Sequence, residues 1–217
     1  MIPKYKTLKV QIPSYQEESV LRSEGYSLIA GIDEVGRGTL AGPVLAGAVI
    51  LPSNPRYEWT KFIRDSKQLS PKQRKYAMIY ILKFALGVGT GLSTSKEIDD
   101  VGIAKATRLA MTRAIYQMQI TPDFLLLDAF PLPEVDIPQK PIVKGDSKCL
   151  SIAAASVIAK VTRDKMMDDY DSAYPGYGFA NHKGYGTSEH RDRINILGPC
   201  AIHRYSFSPI KQIPNER

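Results

Sequence analysis

Residues 26–51 read YSLIAGIDEVGRGTLAGPVLAGAVIL, two apolar runs parted by a glycine-rich segment, and their connection decides the fold class. Ser27-Leu28-Ile29-Ala30-Gly31-Ile32 reads as a buried strand and Pro43 to Leu51 as a second. The link between them is too short for a crossover helix, so an antiparallel hairpin is expected. A fully parallel, doubly wound sheet is thereby disfavoured.

Outward from that hairpin, Ser70-Pro71 forms an N-cap and first-turn pair that opens a helix through about Phe84. Ala85 to Leu92 is expected to be a third strand, with glycines that permit close packing. Thr94-Ser95-Lys96-Glu97 has the form of a capping box and leads into one helix reaching about Gln119, built on Ala104, Leu109, Ala110, Met111, Ala114, Ile115 and Met118. Phe124 to Leu127 is a short strand ending on Asp128, and Pro141 to Lys144 a second extended segment ending near Asp146. Ser151 to Met167 is a small-residue helix, and a last one covers about Glu189 to Leu197. Strands first, then strands alternating with helices, predict a single α/β domain: a mixed sheet with helices packed on it and a helical C-terminal end.

With 217 residues, 43% of them hydrophobic, the chain can bury a substantial core. Cys149 and Cys200 are too few for a disulfide framework or a four-ligand zinc site, which points to buried free thiols in a reducing compartment. Met1 to Gln16 lacks the apolar stretch of a signal peptide, and no run approaches the length of a membrane span. No membrane association and a cytoplasmic location are expected. Lys and Arg number 29 against 22 Asp and Glu, a formal charge of +7 that favours polyanionic partners.

Against that basic background, several carboxylates stand at the ends of apolar runs. Asp33 and Glu34 close the first strand, Asp128 closes another and Asp146 follows the next, so a sheet can bring all four to one edge. A single Asp after a strand is ordinarily a turn former. Four together repel one another unless protons or cations neutralise them, and oxygen-only ligands point to Mg²⁺ or Mn²⁺. Two such ions can activate a water and neutralise the leaving oxygen in phosphodiester hydrolysis.

Gly36-Arg37-Gly38 follows the acidic pair directly; its glycines let backbone amides approach a substrate, and Arg37 can reach phosphate. Gly36, Gly38 and Gly42 precede a strand rather than a helix, which argues against a dinucleotide fingerprint. No GxxxxGK[ST] loop or GxSxG elbow occurs. His182, His190 and His203 are too scattered for zinc ligands and read as hydrogen-bonding residues. Tyr185, within His182-Lys183-Gly184-Tyr185-Gly186-Thr187, can place a ring against a sugar or base.

From about Glu24 to Pro209 the chain closely resembles ribonuclease HII, a type 2 ribonuclease H. The resemblance rests on Ala30 to Gly38, Asp65-Ser66-Lys67, Leu127-Asp128, Lys144-Gly145-Asp146-Ser147, Ser151 to Asp164, His182 to Thr187 and His203-Arg204-Tyr205-Ser206-Phe207. It implies an RNase H-like mixed five-stranded sheet, with residues 25–187 as the catalytic domain, 188–217 as a helical segment packed on it and 1–24 as an extension. It implies that Asp33, Glu34, Asp128 and Asp146 are the catalytic, metal-binding acids, and that Gly36, Arg37 and Gly38 read the ribose 2′-hydroxyl while Tyr185 stacks on the sugar. Lys160 and Lys183 are expected phosphate contacts and Asp164 a supporting residue. The implied activity is metal-dependent cutting of the RNA strand of RNA/DNA hybrids and of duplex DNA on the 5′ side of an embedded ribonucleotide, leaving 3′-hydroxyl and 5′-phosphate ends. Removal of misincorporated ribonucleotides, by a monomer, is the implied task.

Two positions depart from the family pattern. Thr39 stands where proline is common, which bears on the rigidity of the sensing loop, and Lys148 lies close behind Asp146, where it can modify metal or phosphate binding. The sister enzyme ribonuclease HIII carries an extra N-terminal domain for which residues 1–24 leave no room. Two alternatives remain at this point: a nuclease of the same fold acting mainly on long hybrids or DNA, and a non-catalytic binding module that would survive loss of the acids.

Overall fold

The computed structural model describes residues 12–213, so the first part of the N-terminal extension and the last four residues of the C-terminal segment lie outside it. Five strands, β1 (Ile29–Val35), β2 (Val44–Ile50), β3 (Gly87–Ser93), β4 (Phe124–Asp128) and β5 (Gln139–Ile142), form one sheet in the order β3-β2-β1-β4-β5. β1 pairs antiparallel with β2 and parallel with β4, so the expected hairpin and the mixed sheet are both present. The helices are α1 (Gln16–Ser23), α2 (Tyr57–Thr60), α3 (Pro71–Phe84), α4 (Ser95–Val101), α5 (Ile103–Tyr116), α6 (Gly145–Lys148), α7 (Leu150–Ala173), α8 (Phe179–His182) and α9 (Ser188–Leu197).

Helices cover both faces. α5 packs on one through Ala106, Ala110 and Ala114 against Ala30, Ile32, Ala46 and Ala48. α7 and α3 close the other through Ala154, Val157 and Ile158 with Ala77 and Ile81. The helices lie almost in backbone contact with the strands. A Cβ on Gly31 would fall 2.1 Å from the Ser151 carbonyl carbon, and one on Gly91 2.3 Å from the Ala110 oxygen. Substitution there would lift a helix from the sheet. α1 is tied to the start of α7: the buried Glu18 carboxylate accepts from the Ser151 amide at 2.8 Å and the Cys149 thiol at 3.2 Å. No helix among the described residues is long and apolar enough to cross a membrane.

Four boundaries differ from the sequence reading. β1 runs on to Val35, so Asp33 and Glu34 lie inside the strand, held by ladder pairing of Asp33 with Gly47 and Glu34 with Ala46. The single helix expected after the Thr94 capping box is two, broken at Gly102, whose φ of 80° and ψ of 155° end α4 and begin α5. Because apolar spacing resumes at once, periodicity conceals the break. β5 begins at Gln139, earlier than Pro141, since its side chain closes the preceding turn by bonding Leu132 and Val135. α7 continues past Met167 to Ala173, its last turns packing Tyr170 and Tyr174 against the C-terminal segment.

Candidate active site

β1 and β4 run parallel with Ile32 opposite Leu127, so the next residues, Asp33 and Asp128, emerge side by side toward the carboxyl ends of their strands, where open α/β sheets bind ligands. After β5, Lys144 takes a left-handed conformation with φ 58°, and the chain turns into α6 to present Asp146. The Gly145 amide donates to Asp128 Oδ1 at 2.7 Å, locking this turn to β4. Asp33, Asp128 and Asp146 each offer an oxygen within 4.8 Å of the others.

Glu34 lies outside that set, because successive residues on a strand face opposite sides. Its Oε1 accepts from Arg37 Nη1 at 3.3 Å, while its buried Oε2 has no partner among the described residues. Burial, reinforced by the Glu34 and Asp128 charges, pushes the Asp33 carboxyl well above the usual range. Burial raises Glu34 too, against the opposing pull of Arg37, and raises Asp128 against the Gly145 hydrogen bond. Lys148 is exposed and forms no ion pair among the described residues; Lys67 meets Asp146 Oδ2 instead, at 3.0 Å. Although burial opposes its charge, the hydrogen bond and charge of Asp146 raise the Lys67 pKa. Its turn is fixed by Asp65, which accepts from the Lys67 amide at 2.9 Å. Asp65-Ser66-Lys67 belongs to the family pattern, but nothing local in the sequence ties Lys67 to Asp146, 79 residues away.

Four carboxylates against the two cations paired with them, Arg37 and Lys67, leave a formal excess of two negative charges when all are ionised. Oxygen-only donors, that excess and the unpartnered Glu34 oxygen fit a hard divalent cation such as Mg²⁺ or Mn²⁺.

Beside the acids, the loop from Gly36 to Pro43 is held from beneath by two fully buried arginines. Arg204 donates to the carbonyls of Gly36, Arg37 and Gly42 at 2.6 to 3.1 Å. Arg163 donates to Pro43 and Ala41 carbonyls, to Lys183 O and to Thr39 Oγ1. The buried Thr39 hydroxyl also bridges Gly36 O and Ala41 O, each at 3.0 Å, so the threonine secures by hydrogen bonds what a proline would secure by its ring. Gly36 has φ 89°, and a Cβ there would sit 2.2 Å from Arg163 Nε. Arg37 lies over the Phe130 ring at 5.2 Å. With their carbonyls drawn inward, these peptides can turn their amides to a substrate.

Tyr185 is 41% exposed, in a groove of about 790 Å³ that also holds Lys160, Asp164, Lys183 and Arg74. The Gly184 carbonyl accepts from the Leu40 amide at 2.8 Å, fastening this segment to the glycine loop. Lys160 Nζ stands 5.8 Å from the Tyr185 ring centre. Both expected phosphate lysines carry carboxylate partners: Lys160 meets Asp164 at 2.7 Å, and Lys183 meets Asp168. Asp164 bonds none of the four acids; it also faces Arg74 at 3.7 Å, and Arg74 holds the Ser66 and Leu69 carbonyls of the turn that carries Lys67.

The scattered histidines converge behind Tyr185. The Cys200 amide donates to His203 Nδ1 at 2.9 Å, leaving the proton on Nε2, which faces His190 Nε2 at 3.1 Å. His190 Nδ1–H then donates to the Tyr185 carbonyl at 3.0 Å. One proton fits between the two imidazoles and a second does not. Burial first, and mutual repulsion in His203, lower both pKa values from 6.5 to about 4. A base whose folded pKa is depressed contributes stability above its unfolded value that is lost as pH falls through the folded one. We therefore expect both imidazoles to remain neutral down to about pH 4 in an NMR titration, with melting temperature declining between pH 6.5 and 4. A midpoint near 6.5 for either ring would contradict this hydrogen-bond chain.

The comparisons with known proteins show one family by sequence and a shared fold by structure. The family model described as ribonuclease HII matches residues 30–210. A ribonuclease HII from Dehalococcoides mccartyi is 51% identical over 199 residues, covering 92% of this chain and 94% of its own. Among solved structures, the ribonuclease H2 from Pyrococcus horikoshii OT3 superposes with TM-score 0.72 at 24% identity, over 85% of this chain and 95% of that one. A structure described as Bst-RNase HIII in complex with Mn2+ superposes with TM-score 0.63 at 19% identity, over 89% and 72%. The last two establish shared fold.

Proposed function

The chain belongs to the ribonuclease HII family, metal-dependent endoribonucleases that act on RNA/DNA hybrids, and from that premise we propose that it also nicks duplex DNA on the 5′ side of an embedded ribonucleotide. Asp33, Glu34, Asp128 and Asp146 would hold two ions, Mn²⁺ or Mg²⁺, whose chemistry when bound would be to activate a water and to neutralise charge on the leaving oxygen. The water oxygen bonds to phosphorus as the link to the preceding 3′-oxygen breaks, leaving a 3′-hydroxyl and a 5′-phosphate. Gly36, Arg37 and Gly38 present amides and a guanidinium to the ribose and its phosphate. Tyr185 packs on the sugar, so a deoxyribose lacking the 2′-hydroxyl is held less well. Lys160 and Lys183 exchange their carboxylate partners for phosphate. Acting as a monomer, with 25–187 as the catalytic domain and 188–217 as a helical segment that packs on it and helps grip the duplex, the enzyme initiates removal of ribonucleotides left by replication.

The observation that supports this reading most is the adjacency of three converging carboxylates to a loop whose Gly36, Arg37, Ala41, Gly42 and Pro43 carbonyls are turned inward onto Arg163 and Arg204. Its test is Tyr185→Ala, assayed on matched duplexes. The expected result is a loss of about 10-fold or more on a single-ribonucleotide duplex, the scale of one stacking contact, with a smaller loss on a continuous hybrid. Equal losses would favour a nuclease acting mainly on hybrids and remove Tyr185 from junction sensing.

A further inference from the structure

The groove that holds Tyr185 reaches α3, where Pro71, Arg74 and Lys75 form part of its wall. The same turns of α3 present Lys72, Gln73 and Tyr76 to a second cavity of about 640 Å³, whose other wall includes Lys61, Phe62 and Arg64. Gln68 and Leu69 complete it, next to the turn that extends Lys67 to Asp146. The cavity therefore flanks the turn that carries Lys67 on one side and lies across α3 from the Tyr185 groove on the other.

Its charge is unbalanced. Lys61, Arg64 and Lys72 line it, no Asp or Glu does, and none of the three forms an ion pair among the described residues. Lys160 and Lys183 in the first groove, by contrast, each have a carboxylate. Lys61 Nζ lies 5.1 Å from the Phe62 ring centre, and Phe62 packs edge-on to the exposed Tyr76 at 5.0 Å, so an aromatic pair stands beside the cations. Unpaired cations beside an aromatic pair, next to the turn that reaches the carboxylate centre, suit a phosphodiester backbone with its sugars.

We propose that this cavity is a second backbone subsite, in which Lys61, Arg64 and Lys72 take phosphates of the duplex beyond the cleaved link. The proposal rests on the preceding reading only in taking a duplex as ligand. An acidic protein segment would meet the same charges, but a place beside the Lys67 turn and across α3 from the Tyr185 groove favours the nucleic acid.

The test uses the full chain, without metal so that nothing is cut, and a triple variant Lys61→Gln, Arg64→Gln, Lys72→Gln whose melting temperature is first matched to wild type. Affinity is measured against salt for a single-ribonucleotide duplex shortened from either end in steps of about 5 base pairs, half a helical turn. On the longest duplex the slope of log affinity against log salt is expected to fall by about 2 to 3 in the variant, at about 0.9 per phosphate contact. Shortening from one end only should abolish the difference between the proteins. An unchanged slope, or a loss independent of duplex length, would overturn the subsite. Loss of binding to a polyglutamate probe with duplex binding intact would likewise overturn it and give the cavity to an acidic protein. Failure of the junction reading appears separately, as absence of nicking by wild type with metal restored.

Discussion

Asp33→Asn and Asp128→Asn are each expected to lower cleavage by about 10³-fold or more, the scale on which loss of transition-state charge stabilisation acts. Both residues stand just past the last paired residues of the parallel strands β1 and β4, and each gives one of the three converging oxygens. Removing a negative charge that faces phosphate should leave duplex affinity unchanged or slightly tighter. Without metal, the Asp33→Asn protein should melt at or above wild type, because burial and the Glu34 and Asp128 charges already oppose ionisation there. Mn²⁺ at a hundredfold excess over Kd should stabilise the wild type by about 2.7 kcal/mol and so raise its melting temperature, with a much smaller rise in the variant. Cleavage at wild-type rates in either variant would remove the metal-ligand assignment, whereas weakened duplex binding with cleavage intact would support a binding role for the acids.

The second large effect belongs to Arg204. Burial and the neighbouring Arg163 charge push its pKa down to about 9, and no carboxylate bonds it among the described residues; its bonds go to loop carbonyls. Arg204→Ala leaves those carbonyls unsatisfied around a void and is expected to cost about 3 to 5 kcal/mol of stability. Arg204→Lys keeps a charge but cannot fork among three carbonyls. It should fold, with cleavage reduced by about 10²-fold through misplacement of the Gly36–Gly38 amides. Thermal melting and single-turnover rates read the two effects apart. A lysine variant with wild-type cleavage would show that the loop holds its shape without the fork.

What could be read in the sequence follows from how local each signal is. The hairpin needed only the short link between two apolar runs, and the acids needed only strand ends and charge crowding. Divergence of Asp33 from Glu34 was hidden because β1 runs past both, a boundary set by pairing with β2. The Gly102 break escaped because helical periodicity continues through it. Arg163 and Arg204 give no signal of their role: apart from the Thr39 hydroxyl their partners are backbone carbonyls, all but that of Lys183 more than a hundred residues away, and no side-chain pattern marks a carbonyl. The histidine chain is hidden for the same reason, since its ends are the Cys200 amide and the Tyr185 carbonyl. Thr39 was visible only as a departure, and its hydrogen bonds supply the loop rigidity in question.

The most direct measurement is to incubate the protein with a DNA duplex containing one ribonucleotide, with Mn²⁺ or Mg²⁺ and with a chelator control, and to map the product ends to the nucleotide. A metal-dependent nick immediately 5′ of the ribonucleotide, leaving a 3′-hydroxyl, is the predicted result. Cleavage of a continuous hybrid with no cut in that duplex would contradict it, keeping the nuclease and discarding the junction specificity.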